Sequence, residues 1–189
     1  MSSRKLNDEG FTGLEAAIVL IAFVVVAAVF SYVVLGAGFF TTQKAQETVY
    51  KGVEQSTANI QMIGNVYGIS AVNSAGIDEI KFSIGLAPGA PAIDLTKMKI
   101  VFSTPTIGPT ILEQNNTVVA SATTFTTKLN GATTVSSMNA NDQVEINFKV
   151  SPAVSANTKM NIELRPSVGA ALPFTKTAPA TITNTTVLF

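Results

Sequence analysis

The chain has 189 residues and is formally neutral at pH 7, with 12 lysine and arginine residues against 12 aspartate and glutamate residues. It contains no cysteine and no histidine, which excludes thiol nucleophiles, imidazole bases, disulfides and Cys/His zinc sites, and we expect neither a metal nor a cofactor. Only 13% of residues are charged, the carboxylates are mostly scattered singly, and no basic cluster occurs, so we expect neither an enzyme nor a nucleic-acid partner.

One uncharged run dominates the N-terminal part of the chain. It extends from Ala16 to Gln43, and Lys44 is the first charged residue after it. As an α-helix this run would span roughly 42 Å, more than a bilayer core of about 30 Å, whereas a secretory signal has a shorter apolar core. Arg4 and Lys5 precede the run, so the positive-inside rule places the residues after Lys44 outside the cell.

The junction before this run carries a distinctive motif. A polar leader, residues 1–10, ends at Gly10, Phe11 opens the apolar segment, and a lone carboxylate, Glu15, is the fifth residue counted from Phe11. This arrangement resembles the class III signal of type IV pilin-like proteins. The resemblance implies that a prepilin-type signal peptidase in the membrane cuts between Gly10 and Phe11 and that the apolar run is retained.

The resemblance also implies a role for Glu15 in assembly. Its carboxylate would pair with the α-amino group that cleavage exposes on Phe11 of a neighbouring subunit. The residues by themselves leave a second interpretation open, because a carboxylate near a helix start can simply reach lipid headgroups and favour the helix dipole.

The run is also rich in small side chains, which let helices approach closely when both are surrounded by lipid. We therefore favour helix packing over a plain membrane anchor. The small residues are Gly13, Ala16, Ala17, Ala22, Ala27, Ala28, Gly36, Ala37 and Gly38.

The helix is expected to continue beyond the apolar run. Between Lys44 and Tyr67 apolar residues recur with helical spacing and polar residues lie between them, which indicates an amphipathic helix. Gly64 and Gly68 are the expected stop. The sequence thus predicts a leader at 1–10, a helix over 11–68 of roughly 85 Å, and a second domain over 69–189.

The second domain is predicted to consist of short β-strands. Apolar and polar residues alternate over 80–86, 98–103, 144–150 and 160–165. Asn130-Gly131 between Thr-rich stretches is a hairpin signal, and Ser151-Pro152 is read as a separator between strands. About 120 residues can bury a core of their own, so we predict an α+β chain in which the long helix is followed by an antiparallel Ig-like β-sandwich.

Two stretches of this domain resemble the outer domain of archaeal flagellins (archaellins). They are 91–95 with the strand at 98–102, and 159–170 leading to Pro179. The resemblance implies a filament whose core is the bundled helices and whose sandwiches face outward.

Asn115-Asn116-Thr117 and Asn184-Thr185-Thr186 are N-glycosylation acceptor triplets. In a chain so rich in Asn, Ser and Thr such triplets also arise by chance. Exposure on a filament surface favours modification at Asn115 or Asn184.

The archaellin resemblance implies a structural subunit of the archaeal flagellum (archaellum), an extracellular filament for swimming. The subunit would assemble with itself or with paralogous archaellins, from a precursor in the cytoplasmic membrane, with the help of membrane assembly and motor machinery. Two alternatives remain: an adhesive type IV pilin, which would use the same junction and helix, and a membrane-anchored extracellular binding module. The expected amphipathic extension and the lack of a flexible linker argue against the module.

Overall fold

The computed structural model describes residues 5–71, 76–117 and 120–189, with side chains described from residue 13 onward. The chain divides into two compact units, Met1–Tyr50 and Lys51–Phe189. The first unit is helical, and the second contains the end of the helix and all of the strands.

A single helix, α1, extends from Lys5 to Thr57. Its 53 residues correspond to about 80 Å at the α-helical rise. The helix begins within the predicted leader, so the backbone is helical on both sides of the Gly10–Phe11 junction. Val and Ile are mediocre helix formers in water, but an apolar segment in lipid has no other way to satisfy its backbone polar groups.

The strands of the second unit form one large sheet and one small one. In chain order the strands are β1 (Ile60–Ile69), β2 (Ile77–Leu86), β3 (Ile93–Asp94), β4 (Lys99–Ser103), β5 (Thr110–Gln114), β6 (Thr124–Leu129), β7 (Thr133–Thr134), β8 (Ser137–Met138), β9 (Gln143–Val154), β10 (Lys159–Arg165), β11 (Leu172–Thr177) and β12 (Thr185–Leu188). The large sheet has the order β11-β10-β4-β5-β6-β9-β2-β1-β12 with β7 beside β6, and the small sheet pairs β3 with β8. In the described part of the chain all neighbouring pairs are antiparallel except β5 and β6, which are parallel.

The two ends of the large sheet meet. The Thr177 N–H donates to the Phe189 carbonyl at 2.6 Å, and the Phe189 N–H donates back to the Thr177 carbonyl at 3.2 Å. Thr177 ends β11 and Phe189 follows β12, and these are the two terminal strands in the sheet order. The sheet therefore closes on itself around the core as an antiparallel-rich sandwich, as predicted.

Aromatic rings from different strands hold the core together. Phe82 of β2 contacts Phe174 of β11 edge-to-face with ring centroids 5.5 Å apart, and Phe102 of β4 contacts Phe148 of β9 at 5.6 Å. Neither pair lies on strands that are hydrogen-bonded to each other, so these contacts cross the core. Edge-to-face pairs of this kind contribute about 0.5–1.5 kcal/mol beyond their buried area.

The predicted alternation is confirmed in β2, β4, β9 and β10, where alternate residues are buried. The predicted hairpin turn at Asn130-Gly131 is confirmed as well. Both residues have positive φ, 49° and 74°, and the Ala132 N–H closes the turn onto the Leu129 carbonyl at 3.0 Å. Asn and Gly tolerate this conformation better than other residues, which is why the pair marks the turn.

The predicted helix over 11–68 is wrong at its C-terminal end. The helix stops at Thr57, and the segment 60–69 is strand β1, paired with both β2 and β12. Val66 is completely buried, whereas Ile63, which a helical face would have buried, is 41% exposed. Gly64 is not a helix stop, because it has a φ of 75° where the β1–β2 register shifts. The sandwich domain accordingly begins before residue 69.

The predicted boundary between strands at Ser151-Pro152 is also wrong, since β9 continues through these residues to Val154. The Ser151–Pro152 peptide bond is cis. The register of β9 against β2 shifts between Ile77 and Glu79 on the partner strand, as at a β-bulge.

A short capped turn connects the small sheet to β4. Asp94 caps a 3-10 helix at Leu95–Lys97, accepting hydrogen bonds from the Thr96 N–H at 2.9 Å and the Thr96 hydroxyl at 2.5 Å. These bonds, with a smaller contribution from Lys97, hold the pKa of the Asp94 carboxyl below its ordinary value of 3.8. The cap is therefore made by the ionised carboxylate.

This lowered pKa predicts a loss of stability confined to acidic solution. A carboxyl whose pKa is lower in the folded state contributes stability above its unfolded pKa, and the contribution is lost as pH falls through the folded pKa. We expect the unfolding temperatures of the wild type and Asp94→Asn to differ at neutral pH and to converge below pH 3.8. Circular dichroism of the full chain in detergent micelles measures this, and a difference that persists unchanged at about pH 2 would contradict it.

Candidate assembly surface

The described side chains of α1 are exposed along the whole helix. Every residue from Gly13 to Thr57 is exposed. Three consecutive residues, Val24, Val25 and Val26, are 62%, 55% and 66% exposed. Because neighbouring residues project about 100° apart around a helix, the apolar surface surrounds the helix and does not form a single stripe. Such a surface needs an apolar environment on all sides.

The helix is long and apolar enough to cross a membrane over Gly13–Thr57. Near the end of the apolar run, the Thr41 and Thr42 hydroxyls donate to the carbonyls of Ala37 and Gly38 at 2.8 and 2.9 Å. These polar groups are satisfied within the helix itself. The first cation after the run, Lys44, forms an exposed ion pair with Glu47 at 2.7 Å. From Lys44 onward the helix carries charged side chains and is suited to water.

Glu15 is the only charged residue between Gly13 and Lys44. Its side chain is exposed on α1, four residues after Phe11. Four residues are about one helical turn, so Glu15 follows the Gly10–Phe11 junction by roughly 6 Å along the axis. The side chains of Gly10 and Phe11 lie outside the described part. The helix thus brings the predicted processing and assembly residues within about one and a half turns of backbone.

The two glycosylation triplets differ in their surroundings. Asn115 is half-buried, and its side-chain oxygen accepts hydrogen bonds from the Thr117 N–H at 3.0 Å and the Thr117 hydroxyl at 2.7 Å. In the second triplet Asn184 is exposed, but Thr186 is 8% exposed and its hydroxyl accepts from the Thr183 N–H at 2.9 Å. The threonine that completes the triplet is therefore exposed in the first triplet and buried in the second.

The outward face of β10, β4 and β5 carries paired charges. Arg165 donates from Nε and from a terminal nitrogen to both oxygens of Glu163, at 2.9 and 3.0 Å. This bidentate pair lowers the pKa of the Glu163 carboxyl and raises the pKa of Arg165. Lys99 donates to Glu113 across the strands at 3.0 Å. The face is locally neutral, which suits close packing against further copies of the same surface.

An exposed apolar residue lies on this face and was missed in the sequence. Ile111 of β5 is 52% exposed and is paired in register with Val101 of β4. Strand β5 spans only 110–114, and the adjacent apolar residues Ile111 and Leu112 hide its alternation. Recognising β5 as a strand would have identified Ile111, because neighbouring residues of a strand face opposite sides. Ile111 is a candidate contact between sandwiches.

Comparisons with known proteins agree with this arrangement. The family model for archaeal-type flagellin matches residues 10–176. The chain is 38% identical to probable flagellin 1 of Archaeoglobus fulgidus, over 96% of each chain.

Two solved structures are similar as well. The archaeal flagellum of Methanospirillum hungatei strain JF1 matches with a TM-score of 0.74 and 34% identity, over 94% of this chain and 99% of that one. The crystal structure of flagellin FlaB1 from Methanocaldococcus jannaschii matches with a TM-score of 0.59 and 17% identity, over 69% of this chain and 96% of that one, which shows the same fold. By the family model and the near full-length relatives, the chain belongs to the archaeal-type flagellin family.

Proposed function

We propose that this chain is a structural subunit of an archaellum, an extracellular filament that rotates for swimming. One observation carries the proposal: a long helix with apolar side chains exposed on every side is joined to a closed sandwich with a polar surface. Such a helix is stable in lipid and in a bundle of its own kind. Family membership and the filament relatives support this function, in which the helix forms the core and the sandwich the outer layer.

Assembly transfers the helix from lipid to a bundle of identical or paralogous helices. In lipid the helix is already out of water, so the transfer gains little hydrophobic free energy. Close packing at the small residues of the run and neutralisation of Glu15 must then favour the bundle. Extraction from the membrane would need energy, and we propose that membrane assembly machinery powered by ATP supplies it.

The junction between helix and sandwich favours a filament subunit over a tethered binding module. Only Ala58 and Asn59 separate the end of α1 at Thr57 from the start of β1 at Ile60. A receptor domain on a membrane anchor gains reach from a flexible linker. A filament subunit needs the opposite, a stiff connection, and we accordingly propose a mechanical role without catalysis.

Deleting the gene tests the swimming function. We expect the cells to lose swimming and surface filaments, as seen by motility assay and electron microscopy, and to keep most of their attachment to surfaces. Reintroducing the wild-type gene should restore both filaments and swimming. Loss of attachment with normal swimming would instead identify an adhesive pilin.

The mass of the filament subunit tests processing at the Gly10–Phe11 junction. Intact-mass analysis of surface filaments should show a subunit that begins at Phe11 and lacks residues 1–10. Gly10→Val places a bulky residue at the cut site, so we expect uncut precursor to accumulate in the membrane. Gly52→Ala is the matched control, because Gly52 lies on the same helix far from the junction and a methyl group there meets no atom within 4 Å. Filaments built from chains that still begin at Met1 would contradict the processing.

Removing the charge of Glu15 tests its role in assembly. Glu15→Gln preserves size and removes the charge, so the subunit should be processed normally but enter filaments about tenfold less, because a charge-assisted hydrogen bond contributes about 1.5–3 kcal/mol. Quantitative mass spectrometry of mixed filaments measures the ratio of mutant to wild type. Glu54→Gln is the control, because Glu54 is exposed on the same helix beyond Lys44, in the part that carries charged side chains. Equal incorporation of both variants would favour the headgroup interpretation of Glu15.

A further inference from the structure

A loop far along the chain lies against the end of the helix. The 166–171 loop connects β10 to β11. The Ser167 hydroxyl donates to the Asp94 carbonyl at 3.4 Å, and Val168 packs against the buried core. Gly169 lies against Ala58, the first residue after α1. The loop is thus held at two points beside its contact with the helix end, and all of these residues belong to the Lys51–Phe189 unit.

The approach of Gly169 to Ala58 leaves no room for a side chain. A Cβ atom on Gly169 would lie 1.7 Å from the Ala58 carbonyl oxygen, 2.8 Å from its carbonyl carbon and 3.1 Å from its Cβ. Two of these three atoms are backbone, so no side-chain rotation can relieve the overlap. Any larger residue must move the loop or the backbone at Ala58 by more than an ångström, because non-bonded heavy atoms pack at about 3.5–4.0 Å.

Ala58 is where the chain changes from helix to strand. It is completely buried, and its N–H makes the last helical hydrogen bond, to Glu54 at 2.9 Å. The next residue, Asn59, donates from its side chain to the Ser56 carbonyl at 3.2 Å and accepts at its own carbonyl from the Ala87 N–H at 3.0 Å. Helix end and sheet are therefore connected through two residues whose polar groups are fixed on both sides.

We propose that Gly169 is a positioning residue that closes a rigid joint at Ala58 and fixes the backbone conformation in which α1 passes into β1. This inference rests on the proposed filament function where it concerns assembly, because every copy in a helical filament must adopt the same conformation at this point. The geometry of the joint itself is independent of that function.

The chain offers a control that separates close approach from backbone conformation. Gly169 has a φ of 97°, which any L-residue adopts with strain. Gly89 has a similar φ of 83°, but a Cβ there would meet no atom within 4 Å. Gly89→Ala therefore carries the backbone strain alone, and Gly169→Ala carries the strain together with the collision at Ala58.

The first arm of the test measures hydrogen exchange of individual amides in the full-length protein in detergent micelles. In Gly169→Ala we expect the amides of Ala58 and Ala87 to exchange at least about tenfold faster, while the amide of Phe148 in β9 retains its protection, because only the joint opens. In Gly89→Ala the amide of Ala58 should be unchanged; the Ala87 amide is not used in this control, because the Ala90 N–H closes the turn around Gly89 onto the Ala87 carbonyl at 3.0 Å. A folded Gly169→Ala protein with wild-type protection at Ala58 would overturn the proposal.

A second variant keeps the test decisive if Gly169→Ala does not fold. Ala58→Gly removes only the buried methyl group that the loop contacts, and we expect the Ala87 amide to exchange several-fold faster. Ala178→Gly removes an equally buried methyl elsewhere and is the control. If Ala58→Gly and Ala178→Gly affect the Ala87 amide equally, the joint has no special role.

The second arm measures filaments in cells that express the same variants. We expect Gly169→Ala to be processed and to reach the membrane, with few or no filaments, and Gly89→Ala to give normal filaments. Normal filaments from a variant with an opened joint would overturn the role in assembly and leave the filament function intact. If gene deletion leaves filaments and swimming unchanged, the proposed function fails, and the exchange result still decides whether the joint exists.

Discussion

Keeping the apolar surface of α1 away from water is the constraint on which the rest of this molecule depends. Its large apolar side chains are mostly 50–80% exposed in the isolated chain. At about 1.5–3 kcal/mol for each fully buried side chain, hiding this surface is worth tens of kcal/mol, more than the 5–15 kcal/mol that stabilise a typical domain. A free, hydrated subunit is therefore not a stable state. The helix must pass from lipid directly into contact with other copies.

The sandwich meets the opposite requirement, because its outer surface remains in water beside identical neighbours. Its ion pairs, such as Lys81 with Glu145 at 3.1 Å and Lys99 with Glu113, are at least partly exposed. Pairs of this kind contribute about 0–1 kcal/mol each, so their role in stability is small. The pairs do leave little net field at the parts of the surface where they lie. Identical copies can then lie side by side without mutual repulsion.

Local sequence patterns predicted the parts of the fold in which one periodicity dominates. Strand β9 was clear because Val144, Ile146 and Phe148 alternate with polar residues. The end of the helix is not clear from the sequence, because the residues after Thr57 fit both the helical and the strand period. Ile60 and Ile63 suit a helix, and Ile60 and Met62 suit a strand. Pairing of β1 with β2 and β12 decides between them, and no local pattern contains that information.

The functional residues likewise differ in whether a local sequence pattern identifies them. Gly10, Phe11 and Glu15 were assigned from a contiguous motif and lie on one helix. The contact of Gly169 with Ala58 joins residues more than a hundred positions apart, and only the fold reveals it. Closing the sheet on itself also protects its strand edges. A filament holds its subunits at very high local concentration, where exposed strand edges would template cross-β aggregation. Joining β11 to the end of β12 through Thr177 and Phe189 covers part of those edges and helps to keep crowded neighbours from exchanging strands.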